Sequence, residues 1–145
     1  MPVTRIRRLR ADDYDRLIRL WNEAGLDHRP LGRDRREGIE REISGPMSIF
    51  LVAEEGRQMV GVVLGTHDGR KGWINRLAVA PGVRGRGIGR ALVDAVEAQL
   101  AALGIGIVTC LIEEWNADSM RFFEAIGYVE HRECTYYSKR MRPDI

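Results

Sequence analysis

Cysteine is scarce in this chain: only Cys110 and Cys134 occur, in no C-x-x-C or Cys/His spacing, so neither a zinc site nor a disulfide framework is expected. A reduced, cytoplasmic setting follows. Long hydrophobic runs are missing too. No apolar stretch reaches the roughly 20 residues that a membrane-spanning helix needs. Charge of one sign is not in excess, since 23 Lys and Arg face 21 Asp and Glu for a net +2. General attraction to nucleic acid or to a membrane surface is therefore excluded, and any basic patch must be local. The arginines of "MPVTRIRRLRADD" precede no apolar leader segment, and they read as a first strand rather than a targeting arm. At 145 residues the chain, residues 1–145, suits one domain with one continuous core.

What is present alternates between two periodicities. Residues 3–9 read as a strand. Asp12 or Asp13 can cap a helix carrying Tyr14, Leu17, Ile18, Trp21 and Ala24 at 3.6-residue spacing, and Gly25 ends it. Ile39 and Ile43 give residues 33–44 a weaker amphipathic pattern. "SIFLVAEE", "QMVGVVLGTHD" and "GWINRLAVA" read as three successive antiparallel strands. Ile88, Leu92, Val96, Leu100 and Leu103 then share one helix face before the strand "IGIVTCLIEE". A last helix runs from the cap Asn116 to Gly127, and "YVEHRE" with "TYYSKRM" forms a closing hairpin. The order is βααβββαβαββ, an α/β class fold in which helices cover a mixed α+β sheet.

The stretch "APGVRGRGIGRALVDAVEAQL" concentrates glycine and arginine just ahead of a helix. A helix N-terminus exposes four unpaired N–H groups and the positive end of the macrodipole, which suits an anion. The N–H groups of Gly85, Arg86, Gly87, Ile88 and Gly89 can wrap phosphates, with Arg84, Arg86 and Arg90 supplying charge-assisted bonds. The dinucleotide fingerprint G-x-G-x-x-G is not matched, and there is no G-K-[ST] of a Walker loop. A pyrophosphate cradle for a ligand other than NAD or hydrolysable ATP is predicted. A flexible turn with solvated arginines is the plainer alternative.

"LAVAPGVRGRGIGRAL" resembles the R-x-x-G-x-G signature of the GNAT superfamily of N-acetyltransferases, anchored on Arg84, Gly87 and Gly89, and "NADSMRFFEAIGY" is similar to that family's N-x-x-A-x-x-x-Y-E-x-x-G-F. The resemblance spans nearly the whole chain and extends to the small bacterial YpeA-like group. It implies acetyl-CoA as co-substrate, with no metal, in a cleft where the parallel strands 73–80 and 106–113 splay apart. The pantetheine arm would pair with the backbone of Leu77, Ala78 and Val79, and the Leu77 N–H would polarise the thioester carbonyl. Asn116 would bond the arm from the other side, besides or instead of capping its helix, and Phe123 would border the cofactor.

The proton donors and acceptors of the family do not carry over intact. Phe123 stands where relatives have the tyrosine that protonates the CoA thiolate. Leu111 and Asn75 stand where some have acids. Glu113 and Glu114 remain as base candidates, and as strand neighbours only one of them can face the cleft. Tyr128 is a weak candidate acid, and Tyr136 and Tyr137 lie further along. Cys110, mid-strand among apolar residues, reads as a small buried thiol, so direct attack without an acyl-enzyme is expected.

The acceptor, by the same resemblance, would be a primary amine of a small molecule or a protein, enclosed by the first two helices and facing turns. That implicates Trp21, His28, Arg29, Arg33, His67, Asp68 and Trp73. Arg29, Arg33, Arg35 and Arg36 can attract a carboxylate-bearing acceptor or simply form a solvated face. Trp21 and Trp73 are also explained by packing, and the two histidines by polar surface. A monomer or homodimer is expected, with no nucleic-acid or membrane partner. The alternative to an enzyme is an acyl-CoA sensor with little turnover, suggested by Phe123 and Leu111.

Overall fold

The computed structural model describes residues 3–145. Its sheet contains β1 (Thr4–Arg8), β2 (Ser48–Glu55), β3 (Gln58–His67), β4 (Gly72–Val79) and β5 (Val108–Cys110), in spatial order β1-β2-β3-β4-β5. The first four are antiparallel neighbours, whereas β4 and β5 run parallel. The crossover between them is α3 (Ile88–Ala102). The other helices are α1 (Tyr14–Ala24), α2 (Arg36–Ser44) and α4 (Ala117–Ala125).

The continuous apolar run of β2 follows from burial on both faces. Ile49, Leu51 and Ala53 join Val63 and Ile74 under α3 and Phe123, while Phe50 and Val52 join Val62, Leu64 and Ala78 under Leu17, Leu20, Trp21 and Ile39 of the first two helices. Helix α3 presses close to the sheet because Gly65 has no side chain. A Cβ there would stand 2.5 Å from Val96. Leu103, which the periodicity puts on the same buried face, is exposed because α3 stops at Ala102.

Asp13 differs from expectation in an instructive way. Its carboxylate does not cap α1; it accepts the Arg10 N–H and pairs with the Arg7 guanidinium, both at 2.8 Å. A buried carboxylate needs that many donors.

Two expected elements contract. The strand read over 105–114 is limited to Val108–Cys110, since beyond Ile74↔Cys110 the chains part. The closing hairpin over 128–133 and 135–141 is absent from the sheet, and these residues take no regular structure. Val129, Tyr136, Tyr137 and Met141 are all exposed, so no apolar face holds the segment in a ladder.

Candidate active site

Strand β4 carries an irregularity at its centre. Leu64 faces Asn75 but Val62 faces Ala78, so β4 spends one more residue than β3 over that interval. The extra residue produces a bulge, and Arg76 takes the left-handed φ of 49° that a non-glycine residue rarely adopts. Arg76 and Leu77 have no register partner on β3, and pairing with β5 has already ended at Ile74. The backbone around Leu77 thus borders an open gap between two parallel strands. A cleft of about 1660 Å³ passes through it and reaches both faces of the sheet.

On the α3 side the cleft is floored by the glycine–arginine loop. Gly85 and Gly87 have φ of 80° and 81°, and Gly87 is the N-cap of α3. Among the described residues, no protein acceptor takes the N–H groups of Gly85, Arg86, Gly87, Ile88 or Gly89. These donors are oriented by left-handed glycines and augmented by the helix dipole, an arrangement suited to anionic oxygens. The three loop arginines separate here. Arg84 Nε donates to the Val79 carbonyl at 3.2 Å and lines the cleft, Arg90 lines it 3.8 Å from Asp94, and Arg86 turns away to pair with Glu55.

The opposite wall comes from β5 and α4. Asn116 Oδ1 accepts the Ser119 N–H at 3.2 Å, which caps α4 and leaves its amide nitrogen without an acceptor among the described residues. Phe122 and Phe123 pack edge to face at 5.0 Å, and both line the cleft. Cys110 also lines it, but burial pushes its thiol up to about 11, away from nucleophilic use near neutrality. Glu113 lines the cleft while Glu114 does not, and both are exposed. Tyr128 lies outside the lining. Its hydroxyl donates to Glu97 at 2.7 Å, and burial, with that carboxylate, holds its pKa well above the ordinary tyrosine value.

On the other face, His28, Arg29 and Arg33 line the cleft. Trp21 does not. It is fully buried, with the Arg76 guanidinium 5.0 Å from its ring centre. His67 and Trp73 also lie outside the lining; His67 Nδ1 accepts the Gly69 N–H, and Trp73 sits beneath Lys71. Asp68 turns its carboxylate to the Arg70 and Lys71 N–H groups.

Three residues not singled out from the sequence shape this lobe: Asp34, Arg76 and Glu42. Asp34 is buried at 3 % exposure, pairs with Arg76 at 2.8 Å and accepts the Arg29 N–H at 2.5 Å. Glu42 lies on the face of α2 that also presents Gly38 and Arg41, and its carboxylate has no hydrogen-bond partner among the described residues. Burial, then the nearby Asp34 charge, raises its pKa above the usual glutamate value. The legible signal for Arg76 is "INRL": two adjacent polar residues break the alternation of an apolar strand. Glu42 follows the apolar pair Ile39 and Ile43 around the helix, but only the tertiary fold puts it at a cleft.

Comparison with known proteins agrees with this geometry. Residues 6–128 match the model of the acetyltransferase (GNAT) family. An acetyltransferase of Photorhabdus laumondii is 35 % identical over 140 residues, covering 96 % of each chain. The PaiA N-acetyltransferase of Thermoplasma acidophilum, solved with coenzyme A, superimposes with a TM-score of 0.78 over 86 % of this chain and 89 % of that one, at 20 % identity. The aminoglycoside acetyltransferase AAC(6')-Iy, solved with a bisubstrate analogue, gives 0.81 over 95 % and 99 % at 18 % identity. At such identities the two structures establish the shared fold.

Proposed function

This chain belongs to the acetyltransferase (GNAT) family and uses acetyl-CoA as its acyl donor, and from that premise we propose that it acetylates a primary amine of a small molecule or protein by direct attack within a ternary complex. The observation that carries this reading is the row of unsatisfied N–H groups from Gly85 to Gly89 beside the gap between β4 and β5. The loop holds the coenzyme diphosphate, with Arg84 and Arg90 adding charge. The pantetheine arm extends the sheet along Leu77, Ala78 and Val79, opposite Asn116 and Phe123.

The acceptor nitrogen attacks the thioester carbonyl carbon from the α1–α2 side. The Leu77 N–H stabilises the oxygen as it gains charge, and the carbon–sulfur bond then breaks. The amine gives its proton to a cleft carboxylate or to water, and the thiolate leaves with a solvent proton. Direct attack is supported by Cys110, which burial holds as a thiol, and the solvent proton on the thiolate follows from Phe123, which has none to give.

Calorimetry with acetyl-CoA tests the cradle. Wild type is expected to bind, and Gly87→Glu to weaken binding on the order of a hundredfold by filling and repelling the anion site. Unchanged affinity would overturn the assignment.

A further inference from the structure

The acceptor lobe has an uneven distribution of charge. Its lining includes Arg29, Arg33 and Arg41, all exposed, and none of these guanidinium groups has a protein partner among the described residues. Arg140 also lines it but donates to the Ile145 carbonyl. Of the acids, Asp34 is consumed by Arg76 and by the Arg29 N–H, and Asp27 is exposed at the rim. Glu42 is left as a half-buried carboxylate with no hydrogen bond or ion pair among the described residues, facing the charges of Asp34, Arg76 and Arg33, in a lining shared with Ser48, Thr66 and Asn75.

A polycation such as a polyamine or aminoglycoside would meet three unpaired guanidinium groups and find a single inner carboxylate. Like charges set against one another in this way disfavour such a ligand. A molecule carrying both charges satisfies both sets of groups. Resting on the acetyl-transfer reading above, we infer that the acceptor is a small carboxylate-bearing primary amine, its amine directed to Glu42 and its carboxylate held by Arg33 and Arg41. Arginine is the side chain suited to the planar carboxylate, which it grips with paired N–H groups. Glu42 pairs with the ammonium, which first loses one proton through cleft water to solvent; the neutral amine then attacks, and Glu42 accepts the second proton as the amide forms.

CoA release is measured for the free L-amino acids and β-alanine, each beside its carboxamide, with spermidine and sisomicin as polycations. Acetyl-CoA affinity is followed in parallel by calorimetry. The expected result is turnover of at least one free acid, with kcat/KM lower by roughly tenfold or more for its amide. Arg33→Ala with Arg41→Ala should remove the same preference while leaving acetyl-CoA affinity unchanged, and because both residues are exposed the protein should still fold. Glu42→Gln should raise KM for the acid and remove the acidic limb of its pH profile. Preference for spermidine or sisomicin, or an amide as good as its acid, would overturn the inference and leave acetyl transfer standing. No release from any of these amines, with acetyl-CoA still bound, would overturn the inference, and no release from lysine-bearing peptides as well would overturn acetyl transfer too.

Discussion

Arg76 Nη2 lies 2.8 Å from Asp34 Oδ2, joining the bulge of β4 to the segment between α1 and α2. The same guanidinium stacks on Trp21 and donates to the Asp27 carbonyl at 3.2 Å. The backbone beside the proposed oxyanion donor is therefore fastened to the segment between α1 and α2 that walls the cleft. An unfavourable φ at Arg76 persists because these contacts hold it in place.

Removing the guanidinium should cost about 3 kcal/mol, because Asp34 would remain buried without its charge partner. Arg76→Ala keeps the strained φ and Arg76→Gly relieves it, so the glycine variant should be the more stable by about 1 kcal/mol. Urea denaturation distinguishes the two. Equal stability would mean that the left-handed backbone stores no strain.

In the glycine–arginine loop, Gly87 has φ of 81° and nothing within 4 Å of where a Cβ would stand. Gly87→Ala should therefore act through backbone strain alone, at about 1 kcal/mol. A fall in Tm of about 4 °C, read by scanning calorimetry, is expected.

Acid sensitivity should originate at the β1–β2 end. Burial alone would raise the Asp13 pKa, but hydrogen bonds from Arg7 and Arg10 and the Arg7 and Arg16 charges hold it below the ordinary value. Glu54 is lowered chiefly by its bond to Arg7. Both carboxyls bind protons more readily in the unfolded chain, so stability rises with pH through this window. Their contribution is complete above the ordinary carboxylate range, about pH 4, and is lost as pH falls through the lower folded values. Tm should be flat between about pH 7 and 5 and fall steeply below about pH 4. Asp13→Asn with Glu54→Gln should flatten that fall.

Glu42 has the opposite sign. Its folded pKa is raised, so the ionised carboxylate costs stability above that pKa, and the cost disappears below the unfolded value. Glu42→Gln should therefore raise Tm at pH 8 by a few degrees, with the gain vanishing near about pH 4. A stabilising substitution at a cleft residue is the mark of a group kept for function rather than for packing. A lower Tm at pH 8 would contradict this account.

Much of the molecule was legible in one dimension. The α1 and α3 periodicities, the β2–β3–β4 meander and the glycine run ahead of α3 are local patterns, fixed within a few residues by side-chain period, turn chemistry and orphan helix donors. The glycine–arginine loop belongs to this class, since its unpaired N–H groups all come from one continuous segment. Arg86 marks the limit of that reading, because its partner Glu55 lies across the sheet. The closing hairpin marks it too, since a strand-like pattern pairs only where a sheet edge and an apolar face await it.

The proposed acceptor lobe was decided by the tertiary structure. Asp34, Glu42 and Arg76 come from a loop, a helix and a strand, and none is distinctive among its neighbours in sequence. The Asp34–Arg76 pair and the raised pKa of Glu42 exist only after α1 and α2 pack on the sheet. Electrostatic character depends on distances through space and on excluded water, and neither quantity is written along the chain.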